Sequence, residues 1–141
     1  MKKFLTVILW FSCLPFMYAD SQGMQNTEMA GVKSGELREA VASWWGFNSG
    51  DATECLQKAI DSGVKKLIVD NTGREWLVGP IRLRSGQEIV FADGVVVRAL
   101  PGAFKKQGES LFTAKDVSGV TLRGGKNAVL MMNKKDYQDT A

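Results

Sequence analysis

The spacing of apolar residues changes once along the chain. In "GDATECLQKAIDSG", residues 50–63, Cys55, Leu56, Ala59 and Ile60 recur at i, i+1, i+4 and i+5, one stripe of an α-helix. Asp51 stands where a side chain can accept from the free N–H groups of a first turn. Glu54, three residues on, can reach back, which gives an acidic capping box. Gly63 follows the last periodic residue and can take the left-handed conformation that ends a helix. A helix this short is marginal alone in water, so its stripe must cover something.

Beyond residue 64 the period falls to two. "KKLIVD" is a β-branched run that closes at the turn "DNTG". In "GPIRLRSG", Ile81 and Leu83 alternate with Arg82 and Arg84. In "QEIVFADG", Ile89 and Phe91 point one way and Glu88 and Val90 the other. "VVVRAL", "SLFTAKDVSGVTLRGG" and "NAVLMM" continue the pattern, each ended by Gly, Pro, Asn or Asp. Ahead of the helix, residues 20–36 are polar, with three glycines and no periodicity, and read as an exposed lead-in. "ELREAVASWWGF" places Leu37, Val41 and Trp44 or Trp45 at helical spacing and predicts a short helix or turn.

The strands echo one another. "EIVFADGVVVRA" and "GVTLRGGKNAVLMM" share one plan, with Ile89 and Phe91 matching Val120 and Leu122 at an offset of 31. Ile68 and Val90 lie 22 apart. Repeats of this size suit a β-solenoid, although a β-sandwich also has short strands and turns. The helix decides between them. A solenoid has an open first coil whose core and strand edges need a cover, and a sandwich does not. "DATECLQKAI" is therefore read as the lid on the N-terminal end of a stack of coils.

These residues bear a resemblance. "DATECLQKAIDSG", the strand "KKLIVD" and then "GPIRLRSGQEIVFADGVVVRA" resemble the N-terminal cap and first coils of the pectate-lyase-like superfamily of right-handed parallel β-helix proteins. The likeness covers about residues 44–137. It implies an all-β solenoid, a right-handed parallel β-helix with an N-terminal capping α-helix. It also implies a protein that acts on carbohydrate, a polysaccharide lyase or a glycoside hydrolase, with polysaccharide as its partner. A surface adhesin or glycan-binding protein without turnover is the alternative, because one fold hosts both. Catalytic residues in that superfamily usually project from middle coils. The present sequence reaches "NKKDYQDTA" after about three coils, with no C-terminal cap, so the expectation is a truncated solenoid whose chemistry lies further on. No residue of this chain is assigned a catalytic, cofactor-binding or metal-binding role.

Composition adds a compartment and removes several chemistries. Lys2 and Lys3 precede the apolar run Phe4–Phe16 and then "MYADS", the form of a secretory signal peptide cleaved after Ala19. The run is short for a membrane span, and an uncleaved anchor is the alternative. "WFSC" sets bulky residues before Cys13, which argues against a lipoprotein site. The organisation expected is a signal peptide over 1–19, a flexible lead-in over 20–43, and the cap helix and first coils over 44–141. The protein is expected to be secreted, periplasmic or on the cell surface. Loss of residues 1–19 leaves 16 basic against 15 acidic residues, a balance that predicts no nucleic-acid partner, and no membrane partner is expected once the signal is cleaved. With no histidine, Ser-His-Asp and Cys-His sites are excluded within this chain. Cys55 would be the one cysteine left, which rules out an internal disulfide and a thiolate zinc site.

Four groups of side chains remain as candidates. Asp70, Asp93, Asp116 and Asp139 recur every 23 residues and could stack as an acidic ladder; each is also explained as a turn residue, the reading preferred. Arg82, Arg84, Arg98 and Arg123 could line a groove for an acidic polysaccharide, since a guanidinium fork matches a carboxylate, or could be an ordinary solvated face. Trp44, Trp45, Phe47 and Trp76 could stack on sugar rings, but near a cap they more often pack beneath it. Lys105, Lys106, Lys134 and Lys135 read as solvated loops, and Cys55 as a small core residue.

Overall fold

A computed structural model describes residues 20–138; the signal-peptide reading and Asp139 lie outside the described residues. Helix α1 (Asp20–Ser34) leads into strand β1 (Glu39–Val41), a 3-10 turn over Ala42–Trp45 and helix α2 (Thr53–Asp61). Eight strands follow: β2 (Lys66–Val69), β3 (Trp76–Val78), β4 (Ile81–Arg82), β5 (Glu88–Phe91), β6 (Val96–Ala99), β7 (Phe112–Thr113), β8 (Thr121–Gly124) and β9 (Val129–Met131). A short helix, α3 (Lys135–Gln138), comes last.

Every strand pairing is parallel. The strands form three sheets, ordered β1-β2-β5-β8, β3-β6-β9 and β4-β7. From β2 onward the chain visits first, second and third sheet, then repeats that order without exception. The described chain is thus mostly parallel sheet with few helices, an arrangement compatible with a solenoid.

The register stacks like on like. Leu67 pairs with Ile89, and Val69 with Phe91; all four are buried. Trp76 pairs with Val97 and Val78 with Ala99, again all buried. Alternation at period two sends Ile68 and Val90 to the other face, where they pair with each other as the 22-residue spacing predicts. In the third sheet Ile81 and Leu83 point inward and Arg82 and Arg84 outward. Buried β-branched and aromatic side chains interleave between the sheets; Phe91 and Phe112, for example, meet at a ring-centroid distance of 5.7 Å.

The echo is corrected at its second step. Ile89 pairs with Leu122 and Phe91 with Gly124, an offset of 33 and not 31. Val120 precedes the strand, and the inward position after Leu122 is held by a glycine, which apolar counting passes over.

Two segments before α2 also differ from expectation. Residues 20–36, read from their polarity as a lead-in, carry α1, whose Val32 joins the core. Over 37–47 the expected short helix or turn is the 3-10 turn at Ala42–Trp45, but the residues before it pair as β1. β1 adds to the edge of β2: Ala40 pairs with Leu67 and is buried, and Glu39 meets Lys66 at 2.7 Å. Tertiary pairing overrides a weak local period here.

Helix α2 has the predicted buried stripe, Cys55, Leu56, Ala59 and Ile60. It stops where Gly63 turns at φ 73°. Its start is built differently from a capping box. The N-cap position is Ala52, and Asp51 Oδ1 accepts from the backbone N–H of Thr53 (2.9 Å) and from its hydroxyl. Glu54 turns away from the N-terminus and pairs with Lys58 at 2.6 Å.

Candidate functional site

The side of α2 that faces the strands is polar at every fourth position, and each of these positions does something specific. Thr53 Oγ1 accepts from Gly79 N–H at 2.7 Å. Gln57 Oε1 accepts from Arg82 N–H at 3.0 Å while its Nε2 donates to Arg82 C=O at 3.1 Å. The Asp61 carbonyl accepts from Arg84 Nη1. Just before the helix, Ala52 N–H donates to Leu77 C=O at 2.7 Å. Here β3 and β4 would otherwise present a bare sheet edge, and α2 supplies the donors and acceptors that a neighbouring strand would supply. Gln57 does this most completely, since its amide serves both backbone groups of one residue. Gln87, buried at 2 % exposure, ties the far end of α2 down: its Nε2 donates to Val64 C=O (2.9 Å) and Ile60 C=O (3.3 Å).

The opposite end of the sheets has no such cover among the described residues. Leu122, which continues the buried Leu67 and Ile89, is 43 % exposed, and Leu130, which continues Trp76 and Val97, is 46 % exposed. The core is closed at the α2 end and open at the β8–β9 end.

A concavity lies along the third sheet. A cleft of about 610 Å³ lies between Pro80, Arg82 and Leu83 on one side and, on the other, Thr113 of β7 with the flanking loop residues Gly108, Glu109, Ser110, Lys115 and Asp116. A second cleft of about 430 Å³ adjoins it, shares Pro80, Arg82 and Leu83, and adds Gln57, Asp61 and Arg84. Arg82 stands at the junction.

Of the four arginines considered from the sequence, only Arg82 and Arg84 share this surface. Arg98 forms a two-pronged pair with Glu75, with both N–O distances 2.8 Å. The Arg98 fork holds the Glu75 carboxyl below its ordinary range and raises the guanidinium in turn. Arg123 meets Glu88 at 3.0 Å on the first sheet. No groove runs through all four.

The acidic residues do not form a ladder. Asp70 Oδ1 accepts from Ser43 N–H at 3.1 Å, and the partner of Asp93 across the sheet is Asn71, whose Nδ2 donates to the Asp93 carbonyl at 3.1 Å. Asp93 Oδ1 accepts from Lys126 N–H at 2.7 Å. Asp116 lies in a different turn, at φ 56°. A 23-residue spacing in sequence loses phase because the sheet registers step by 22 and then 33. Among the described residues no group of three or more His, Cys, Asp or Glu is placed to hold a metal ion.

The aromatic residues divide. Trp76 is fully buried, donates Nε1–H to Asp70 C=O at 2.9 Å and packs on Phe47 at 4.7 Å. Trp44 and Trp45 stack at 6.4 Å and stay partly exposed, packed against the core from outside. Lys105, Lys106, Lys134 and Lys135 are exposed. Cys55 is a core thiol that donates to Ala42 C=O at 3.3 Å, and burial, with the Asp70 charge adding to it, pushes it up to about 11.

Thr53 and Gln57 went unremarked in the sequence, as did Glu109 and Lys115. Polar residues four apart beside an apolar stripe were the available signal for the first pair. The second pair had none, because a loop insertion brings them to Arg82. Comparison of the chain with protein-family models, with curated proteins and with solved structures found no match.

Proposed function

We propose that this chain forms the N-terminal cap and first coils of a secreted right-handed parallel β-helix protein that acts on or binds polysaccharide, and that the segment's own role is structural. The observation that carries the reading is the pairing of a strict three-sheet rotation with a helix that satisfies the first strand edges. Each return to a sheet is a parallel crossover, and such crossovers are overwhelmingly right-handed. Before β2 the chain passes through the 3-10 turn and α2 where later passes lay down strands of the second and third sheets. A lid that replaces strands in this way suits the first turn of a solenoid.

The carbohydrate assignment rests on the sequence resemblance and on the open polar cleft along the third sheet. Polysaccharide lyase and glycoside hydrolase are its enzymatic forms. A glycan-binding surface protein is the second reading, since one fold hosts both roles. The test is incubation of the purified chain with a panel of uronans and neutral glycans, reading both binding and release of new chain ends. Binding without release is expected for these residues. Release of products would overturn the structural role, and absence of both binding and release would remove the carbohydrate reading.

A further inference from the structure

We propose that the bond after the pair Lys105-Lys106 is a processing site for an endoprotease that reads paired basic residues, that Glu109 is the latch governing it, and that the cut chain stays assembled. The site lies in an insertion. Between the second and third sheets the earlier pass of the chain has only Gly79 and Pro80, whereas the later pass has residues 100–111. Phe104 and Leu111 are buried and fix the insertion at two points. Between them Lys105, Lys106, Gln107 and Gly108 are all exposed. Exposed loop tips of this kind are where proteases nick folded chains.

Exposure alone does not make a lysine pair cleavable. A protease takes its substrate as an extended strand, so the backbone must be free to open locally. The other described pairs are tied down. Lys65 C=O accepts from Glu88 N–H at 2.8 Å and Lys66 N–H donates to Arg38 C=O at 2.9 Å, which builds that pair into the first sheet. Lys135 opens α3, whose Asp136 carboxylate accepts from Gly102 N–H at 3.0 Å. Lys105-Lys106 is held by less. Among the described residues, the hydrogen bonds of 105–110 all join Lys106 to Glu109: Glu109 N–H donates to Lys106 C=O at 3.2 Å, and Lys106 N–H donates to Glu109 Oε2 at 3.0 Å. Gly108 turns between them at φ 86°. Opening this one turn frees the bond to be cut and disturbs no strand.

The chemistry is hydrolysis. Water adds across the Lys106–Gln107 peptide, its C–N bond breaks, Lys106 keeps a carboxylate and Gln107 an ammonium group. The two lysines supply the positive side chains that carboxylates in adjoining protease subsites bind. The pieces stay together because β4 with β7, β5 with β8 and β6 with β9 pair across the cut. What changes is the cleft: Gly108 and Glu109 line its loop side, and cleavage leaves them attached through β7 alone.

The experiment is timed digestion of the full chain by a subtilisin-type endoprotease specific for paired basic residues, read by intact mass, with native gel filtration of the product. Among the described pairs, the cut after Lys106 is expected first, and both pieces should elute together. The double variant Lys105→Gln, Lys106→Gln should abolish that cut. Glu109→Ala should speed it about fivefold, the loss of one hydrogen bond from the closed turn, because cleavage follows the population of the open loop. Glu109→Gln keeps an acceptor and should stay within about twofold of the parent. Thermal midpoints of the variants check that each is folded. Cleavage at Lys65-Lys66 or Lys134-Lys135 at a comparable rate would overturn the site. A rate that Glu109→Ala leaves unmoved would overturn the latch, and separation of the pieces on native gel filtration would overturn the assembled product.

Discussion

At the scale of single residues, small polar groups set the geometry of the α2 end. Gln57 is the clearest. Its amide replaces a strand, so its removal leaves the N–H and C=O of Arg82 without protein partners. Because that edge is near water, Gln57→Ala is expected to cost about 1 kcal/mol in urea unfolding. Gln57→Glu should recover only part of it, since a carboxylate can accept from the N–H but cannot donate to the C=O. Cys55 gives a pH signature. Its thiol is raised from 9.0 to about 11 in the folded chain, so folding favours the protonated form. That contribution is whole below about pH 9 and is lost as the pH rises through about 11. Peptide-resolved maleimide labelling at pH 8 should therefore leave Cys55 unmodified in the native chain and modify it in urea. Labelling of the native chain at the unfolded rate would contradict its place beneath the helix.

At the scale of elements, stability should grade along the stack. Ile89 and Leu122 are paired neighbours on adjacent strands, one buried on both sides and one at the open face. Ile89→Ala is expected to cost about 2–5 kcal/mol, as for a filled core position. Leu122→Ala should cost below about 1 kcal/mol. Equal costs would mean that the last strands are covered as well as the inner ones. Periodicity made α2 and most later strands legible in the sequence, because a buried stripe and a buried alternation are both written directly in residue type. β1 was not legible: its three residues hold one core side chain, Ala40, and its pairing with β2 is decided 27 residues away. The capping box failed for a related reason. Glu54 has a nearer partner in Lys58, and Thr53 is drawn to Gly79 on another element. The cleft was half legible, because alternation exposed Arg82 and Arg84 but nothing local announced that residues 108–116 line a cleft with Arg82.

At the scale of the whole molecule, the two ends of the sheets are unlike. One is closed by a helix that supplies both apolar cover and hydrogen bonds; the other exposes Leu122, Val129, Leu130 and Met131. The most direct test of the account is residue-resolved amide hydrogen exchange. α2, β2, β3, β4 and β5 are expected to exchange together by one cooperative opening, with Gly79 and Arg82 protected although they lie on the edge that α2 covers. β8 and β9 should exchange far faster. Protection spread evenly from β2 to β9, or rapid exchange at Gly79 and Arg82 in the native chain, would contradict the claim that α2 covers one end of the parallel sheets while, among the described residues, β8 and β9 stay open at the other.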